Sequence, residues 1–320
     1  MLSRRLLRIK VMQILYAYFQ RDNDDLQLSE KELFQSIFKA YQLYHYLLLL
    51  ILDIRNYATN KIEIAKNKFQ PTDKDLNPSK RFTNNRILIQ IEQNKQLKKF
   101  LNDYKFSWVN YPELIKKIFN KAVCSKEFLK YANEKEPGYK EDKQIVIDIF
   151  TDYIATNEDL FASLEEQSIY WNDDIEFIIS MIIKTIGNFK ENQNDTKPLA
   201  SLYKNDDDIE FVKTLFRKTI VNHQTNKALI STFAKNWKIE RIAFIDILLM
   251  EMALVEAIEM DFIPTRVTLN EYIEISKFYS TEKSGLFING ILDKIFTHLK
   301  AENKIVKKGR GLIGEDIKNN

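Results

Sequence analysis

Apolar residues recur at spacings of three and four along most of the chain, which is the period of an amphipathic α-helix. The first stripe follows Ser3, a residue type that often caps helices. Its members share one helical face and are Leu7, Val11, Ile14 and Tyr18. The pattern therefore predicts a capped helix at the N-terminus.

The middle of the chain continues this periodicity. Residues 30–69 are predicted to form one or two helices, and Pro71–Ser79 a loop. Shorter helices are predicted at Ile87–Tyr104, Pro112–Phe119 and Lys126–Asn133. The apolar run Tyr46–Leu52 is far shorter than the ~20 residues needed to cross a bilayer, so we expect it to be a buried helix.

Two stretches share a similar order of apolar positions. Val146, Phe150, Ile154, Ala162 and Trp171 recur later, at equal spacings, as Val212, Phe216, Ile220, Ala228 and Trp237. An internal duplication and a chance likeness between amphipathic helix pairs both explain this recurrence. Either origin predicts helical scaffold.

Three more helices are predicted between Trp237 and Phe296, with a break before Pro264. Thr268 and Glu271 have the spacing of a capping box at the start of the second of these helices. Gly290 lies inside the third, where glycine costs about 1 kcal/mol relative to alanine. We therefore expect another backbone to approach Gly290 closely.

Composition favours the same class of structure. The chain has 320 residues, 45% of them hydrophobic, but only 7 glycines and 6 prolines, which are the main turn formers. These values predict an all-α fold with a real core. A single cysteine excludes an internal disulfide framework and fits a reducing cytoplasm.

Searches for catalytic or metal-binding patterns find little. The three histidines lie far apart, and the one cysteine permits no cysteine-based zinc site. The tail contains a G-x-G-x-x-G spacing from Gly309 to Gly314, but no strand precedes it and no room for a helix follows. We predict a non-enzymatic protein without metal or cofactor, and a flexible basic tail over residues 301–320.

The net charge of +3 is too small for a generally basic protein, so local clusters matter more. Stepping 100° per residue places Arg4, Arg5, Arg8 and Tyr16 within about 120° on the first helix. Arginine on phosphates and aromatic faces under bases are the means by which proteins hold single-stranded RNA. The alternative is a solvated helix end.

A second group of cations and aromatics lies at the turn between the last two helices. It comprises Lys277, Phe278, Tyr279 and Lys283. Its alternative role is to pack the turn. The basic N-terminus also resembles a targeting segment, but it lacks a secretory cleavage site and an uninterrupted apolar core, which leaves a mitochondrial presequence as the stronger rival.

The order and spacing of several motifs resemble the NusB transcription antitermination family. These motifs are Trp237-x-x-Glu240-Arg241, Asp246, Glu256, Ile263-Pro264, Asn270-Glu271 and Phe287-Ile288-Asn289-Gly290-Ile291-Leu292-Asp293. The arginine-rich opening is also similar to that family's first helix. The resemblance covers residues 1–20 and about 208–298, and departs from the family pattern at Lys10 and Leu286.

The resemblance implies a NusB-type helical bundle with additional helices inserted after the first helix. It divides the chain into a basic first helix at 1–20, an inserted segment at 21–205, a core at 206–300 and the tail. Family members bind boxA, a short single-stranded RNA element, together with the small-subunit ribosomal protein NusE, and modify elongation by RNA polymerase.

The expected site residues, drawn from the residue patterns and from the resemblance, form two groups. The expected RNA contacts are Arg4, Arg5, Arg8, Tyr16, Lys277, Tyr279 and Lys283. The expected protein contacts are Glu240, Asp246, Phe287 and Asn289. Two alternatives are a helical adaptor that has lost RNA binding, and a NusB-like domain linked to ribosomal RNA methylation, which one cysteine disfavours. The expected location is the cytoplasm, without a membrane.

Overall fold

A computed structural model describes residues 3–21, 25–134, 138–192, 199, 201–203, 205–234 and 241–314. Throughout these ranges the chain forms helices joined by turns, and none of the described residues lies in a β-strand. The predicted all-α class is confirmed. The chain divides into a middle unit, Phe38–Leu202, and a terminal unit that combines Leu2–Ile37 with Tyr203–Asn320.

The first two helices are α1 (Arg4–Gln20) and α2 (Leu26–Lys66). The predicted Ser3 cap is confirmed, because the Ser3 side chain accepts a hydrogen bond from the backbone N–H of Leu6 at 3.3 Å. Residues 30–69, predicted as one or two helices, belong mostly to the single helix α2. This helix contributes residues up to Ile37 to the terminal unit and the remainder to the middle unit.

The middle unit continues with short helices. They are α3 (Asp73–Leu76), α4 (Arg86–Gln93), α5 (Lys95–Tyr104), α6 (Pro112–Val123), α7 (Lys126–Asn133), α8 (Tyr139–Asp148), α9 (Glu158–Gln167) and α10 (Ile175–Gly187). A π-helical turn, Ile149–Ile154, follows α8, and a 3-10 turn, Ile169–Trp171, follows α9.

Asn94 divides the single helix predicted at Ile87–Tyr104 into α4 and α5. Its side chain is buried and accepts a hydrogen bond from the backbone N–H of Leu97 at 3.0 Å, which caps α5. Periodicity alone does not reveal this break, because the apolar stripe continues across it.

α2 is long and apolar enough to cross a membrane by length and composition, but 72% of its most apolar window is buried inside the protein. The run Tyr46–Leu52 lies in this buried part, and the Tyr46 ring stacks on Trp108 at 3.9 Å between centroids. This segment therefore packs as a core helix, as predicted.

The terminal unit is built around one almost fully buried helix. Its remaining helices are α11 (Asp206–Val221), α12 (His223–Phe233), α13 (Phe244–Glu259), α14 (Thr265–Tyr279) and α15 (Ser284–Ala301). α13 is buried along nearly its whole length and packs against α1, α11, α12, α14 and α15. Its apolar character on almost every side follows from this central position.

A buried ion pair joins α1 to α13. The Arg8 guanidinium donates two hydrogen bonds of 2.7 Å to the Glu256 carboxylate, and their side chains are 3% and 0% exposed. Glu256 also accepts hydrogen bonds from the hydroxyls of Thr268 at 2.8 Å and Tyr272 at 3.1 Å. Burial acts to lower the pKa of Arg8, but the Glu256 charge and hydrogen bonds outweigh it and raise that pKa.

The contacts of Thr268 and Glu271 overturn the predicted capping box. α14 begins at Thr265, directly after Pro264, so Thr268 lies inside the helix and not at its cap. Thr268 donates to Glu256, and Glu271 accepts two hydrogen bonds from Arg5. Both residues form part of the contact with α1. The buried Glu256 carboxylate is charged and therefore competes for the Thr268 hydroxyl better than a helix end does.

Two predictions about glycines also fail. Gly290 is exposed, and a Cβ atom added there would meet nothing within 4 Å, so no backbone approaches it. In contrast, a Cβ atom on Gly311 would lie 2.0 Å from the Asp261 carbonyl oxygen. The tail glycines therefore permit close packing, although their spacing imitates a nucleotide-binding motif.

The tail contacts the bundle over residues 304–314, where the sequence predicted flexibility. Ile305 is buried, the Lys307 ammonium donates to the Met260 carbonyl at 2.8 Å, and the Lys308 N–H donates to the Asp261 carbonyl at 2.9 Å. A 3-10 turn at Gly309–Leu312 completes this packing. The basic composition of the tail suggested that it is solvated. Instead, buried Ile305 and the hydrogen bonds to the carbonyls of Met260 and Asp261 hold the tail on the α13–α14 loop.

The helices that carry the recurring apolar pattern follow the same order in both units. α8 with its π-helical turn, α9 and α10 correspond in order to α11, α12 and α13. Phe150 and Phe216, which are equivalent in the pattern, are both fully buried. Trp237 lies outside the described residues, and the internal duplication stays a prediction.

We expect Arg8→Ala to lower the free energy of unfolding by about 3–5 kcal/mol, because it leaves a buried carboxylate without its cation. Arg5→Ala is the matched control. Its side chain is 41% exposed and its partner Glu271 is 20% exposed, so about 0–1 kcal/mol is expected. Thermal unfolding of both variants tests this, and equal melting temperatures would contradict a structural role for Arg8.

A second prediction concerns Glu251, which is fully buried on α13 with its carboxyl 2.9 Å from His223 Nδ1. Burial raises the pKa of Glu251 from 4.5 to about 8, and burial lowers the pKa of His223, assisted by the charge of Lys227. The contact at neutral pH thus joins a carboxylic acid to a neutral imidazole.

Because the folded protein holds the Glu251 proton more tightly than the unfolded chain, stability is lost as pH rises from 4.5 towards 8. We expect Glu251→Gln to remove this loss, which amounts to at most about 1.4 kcal/mol per pH unit. Thermal unfolding at pH 6 and pH 8 measures it. An unchanged difference between the two pH values in the variant would contradict the buried-acid assignment.

Candidate nucleic-acid interface

The turn between α14 and α15 is held by one hydroxyl. Ser284 donates to the Asp246 carboxylate at 2.8 Å, and its oxygen lies 3.0 Å and 2.8 Å from the hydroxyls of Ser280 and Thr281. Asp246 belongs to the first turn of α13 and is only 6% exposed. The turn is therefore fixed on the central helix of the unit.

Asp246 does not present an acidic group to a partner, as the family resemblance implied. Its carboxylate faces inward because it accepts the Ser284 hydrogen bond that fixes the turn. Glu240, the other acidic residue expected at a protein interface, lies outside the described residues. Phe287 is half-buried and Asn289 is exposed on the first turns of α15.

The fixed turn presents cations and aromatics together. Lys277 and Lys283 are exposed, Phe278 is 77% exposed, and Tyr279 is half-buried. The Lys277 ammonium pairs with Glu274. Lys283, at the start of α15, has no ion-pair partner among the described residues. The four residues predicted from sequence as one group thus all lie at the turn between α14 and α15.

The three arginines of α1 do not share a solvated face. Arg4 donates to Asp208 at 3.1 Å, Arg5 forms two hydrogen bonds with Glu271 at 2.8 Å and 3.0 Å, and Arg8 is buried against Glu256. The predicted phosphate contact of Arg8 is therefore replaced by a structural role. Arg4 and Arg5 keep side chains that are 42% and 41% exposed.

Two other residues of α1, Tyr16 and Lys10, differ in their exposure. Tyr16 is 44% exposed, and its ring lies 5.6 Å from that of Phe244. Lys10, which departs from the family pattern, is only 1% exposed, so it adds no cation to the surface. One aromatic of this helix is therefore accessible, and the extra lysine is not.

The positive and negative charges around Arg5 and Glu271 are more nearly balanced than the sequence suggested. Hydrogen bonding to Glu271 raises the pKa of Arg5, against a smaller lowering by burial. At Glu271, burial acts to raise the pKa. The hydrogen bond to Arg5 and the charges of Arg8 and Arg5 outweigh burial and hold this pKa below its ordinary value. Anionic ligands would compete with these carboxylates for Arg5.

Nothing in the described residues points to metal chemistry, since no group of three His, Cys, Asp or Glu side chains there could hold an ion. The surface can bind anions through Lys283 and offer aromatic faces for stacking. It contains no nucleophile paired with a base among the residues named above.

The acidic partners of α1 were missed from sequence. Glu256 is the clearest, because it lies in a mostly apolar helix, and a carboxylate at such a position needs a buried cation or hydrogen-bond donors. That signal was present in the sequence. Asp208 and Glu271 lie in polar stretches and gave no comparable signal.

Comparison with known proteins supports a resemblance that includes α10 of the middle unit and much of the terminal unit. Residues 174–297 match the family model described as NusB family. The chain is 46% identical over 88 residues to a transcription antitermination protein NusB of Salinibacter ruber, which covers 28% of this chain and 55% of that protein. No solved structure matches the chain significantly.

Two further relatives carry the same description. The protein of Chloroherpeton thalassium is 45% identical over 84 residues, covering 26% of this chain and 40% of that protein. The protein of Natranaerobius thermophilus is 43% identical over 70 residues, covering 22% and 50%. The chain spans about half the length of the relatives it matches, and residues 174–297 constitute a domain of the NusB family.

Proposed function

We propose that this protein is a cytoplasmic transcription antitermination factor whose terminal unit binds single-stranded RNA. The observation that carries the proposal is the ordered α14–α15 turn, which presents Lys283, Phe278 and Tyr279 to solvent from a fixed backbone. Preordered cations and aromatic faces suit unstacked bases and their phosphates. The NusB-family domain supports the same function.

The proposed RNA footprint is smaller than the sequence suggested. It comprises Arg4, Arg5, Tyr16, Lys277, Tyr279 and Lys283, with Phe278 beside them, and it omits Arg8. The RNA is a boxA-like element in nascent transcripts. The partner is NusE, and the complex acts on the RNA polymerase elongation complex indirectly; no catalytic step and no cofactor belong to the proposal.

A second candidate function is a helical adaptor that binds protein but not RNA. The pairing of Arg4, Arg5 and Lys277 with acids favours it, because a paired cation has less charge to offer phosphates. The two functions are distinguished by whether the protein binds RNA with a salt dependence that reports contacts between its cations and phosphates.

We expect Lys277→Gln combined with Lys283→Gln to weaken binding to a labelled boxA-like RNA and to flatten its salt dependence. The slope of log K against log salt should fall by roughly 0.7 for each lost phosphate contact. Titrations at several salt concentrations measure this slope. The matched control, Lys294→Gln with Lys304→Gln, removes equal charge elsewhere in the unit and should leave the slope unchanged.

Phe278→Ala and Tyr279→Leu should reduce affinity by about 1–3 kcal/mol per lost stacking face while the salt slope stays near that of the wild type. If the lysine variant and the aromatic variants all bind like the wild type, the α14–α15 turn is not the RNA-binding surface. If the wild type itself does not bind the RNA, the adaptor function replaces the RNA-binding one.

We also expect Asn289→Arg to weaken binding to purified NusE at least tenfold, about 1.4 kcal/mol, because a long charged side chain would fill an exposed position of the proposed protein surface. Calorimetric titration measures the affinity. Asn270→Arg is the control, since Asn270 is equally exposed but lies on α14. Equal NusE affinities for the two variants would remove Asn289 from the interface.

A further inference from the structure

The middle unit carries a short stripe of lysines on α5. Lys95, Lys98 and Lys99 are exposed, and Lys105 follows the helix in an exposed position. Leu97 and Phe100 are buried on the opposite side. Because positions three and four apart are neighbours on a helix, Lys95, Lys98 and Lys99 share one face in the first half of α5, and Asp103, one turn beyond Lys99, ends the stripe.

Several other lysines of this unit are balanced by acids. Lys66 pairs with Glu63, Lys68 with Asp75, Lys116 with Glu113 and Lys117 with Asp159. The α5 lysines have no ion-pair partner in the part of the chain that the structure describes. The first turn of α5 also contains no acidic residue.

This arrangement opposes the stability of α5. Like charges three and four apart repel one another, and cations near a helix N-terminus interact unfavourably with its dipole. The buried side chains Leu97 and Phe100, together with the Asn94 cap, supply the contacts that hold the helix. The lysines therefore contribute nothing to folding that neutral polar residues would not.

We propose that this α5 stripe is a second phosphate-binding surface, which contacts single-stranded RNA outside the element bound by the terminal unit. A group of exposed point charges suits a chain of phosphates without selecting its sequence. This inference rests on the proposed RNA binding of the terminal unit. Once that unit holds an RNA, even a weak second surface adds affinity, because its encounter becomes intramolecular.

The test uses the full chain and two labelled RNAs. One is a boxA-like element of about 10 nucleotides, and the other places it within about 40 unstructured nucleotides. The variant is Lys95→Gln, Lys98→Gln and Lys99→Gln, which keeps good helix formers. The matched control is Lys116→Gln, Lys117→Gln and Lys121→Gln on α6, which removes the same charge from the same unit.

We expect the α5 variant to bind the long RNA about tenfold more weakly at low salt, with a salt slope lower by up to roughly 2, and to bind the short RNA like the wild type. The α6 control should bind both RNAs like the wild type. Melting temperatures equal to that of the wild type establish that both variants are folded.

Other outcomes separate the two proposals. If the α5 variant binds the long RNA like the wild type, or if the α6 control loses as much affinity, the stripe is not an RNA surface and serves an acidic protein or solvent. If the short RNA fails to bind but the long RNA binds through α5, the terminal-unit function fails, and with it the inference that α5 extends that function. If neither RNA binds the wild type, both are overturned.

Discussion

The Arg8–Glu256 ion pair is the interaction on which the terminal unit depends. Both side chains are buried, and the carboxylate accepts hydrogen bonds from Arg8, Thr268 and Tyr272. Such a pair is costly to bury and more costly to break, so it specifies one docking position for α1 on α13 and α14. The positions of Arg5 and Tyr16 follow from that docking.

The sequence revealed the helices more reliably than their ends or their charges. Helical periodicity predicted α7 (Lys126–Asn133) at its observed bounds, but it ran through Asn94, because a capping side chain leaves the apolar stripe intact. Angles on one helix placed Arg4, Arg5 and Arg8 on one face correctly in projection. They could not show that neighbouring helices supply acids opposite that face.

The candidate site shows the same limit. The cations and aromatics of the α14–α15 turn are close in sequence, so their proximity could be predicted without knowing the fold. The role of Asp246 could not be predicted in this way. Its partner Ser284 is distant along the chain, and their hydrogen bond exists only after α13 and α15 pack together. Likewise, the resemblance to the NusB family is carried by residues 174–297 and leaves most of the middle unit without a counterpart. The exposed lysines of α5 are the feature by which we propose that the middle unit extends the function of the terminal unit.

The central claim is that single-stranded RNA lies against the α14–α15 turn. Photocrosslinking of a thiouridine-labelled boxA-like RNA, followed by mass spectrometry of the crosslinked peptides, tests it most directly. The account predicts crosslinks within residues 277–283, at the exposed Phe278 or the adjacent Tyr279. Efficient crosslinking that maps only to other peptides, with none from this turn, would contradict it.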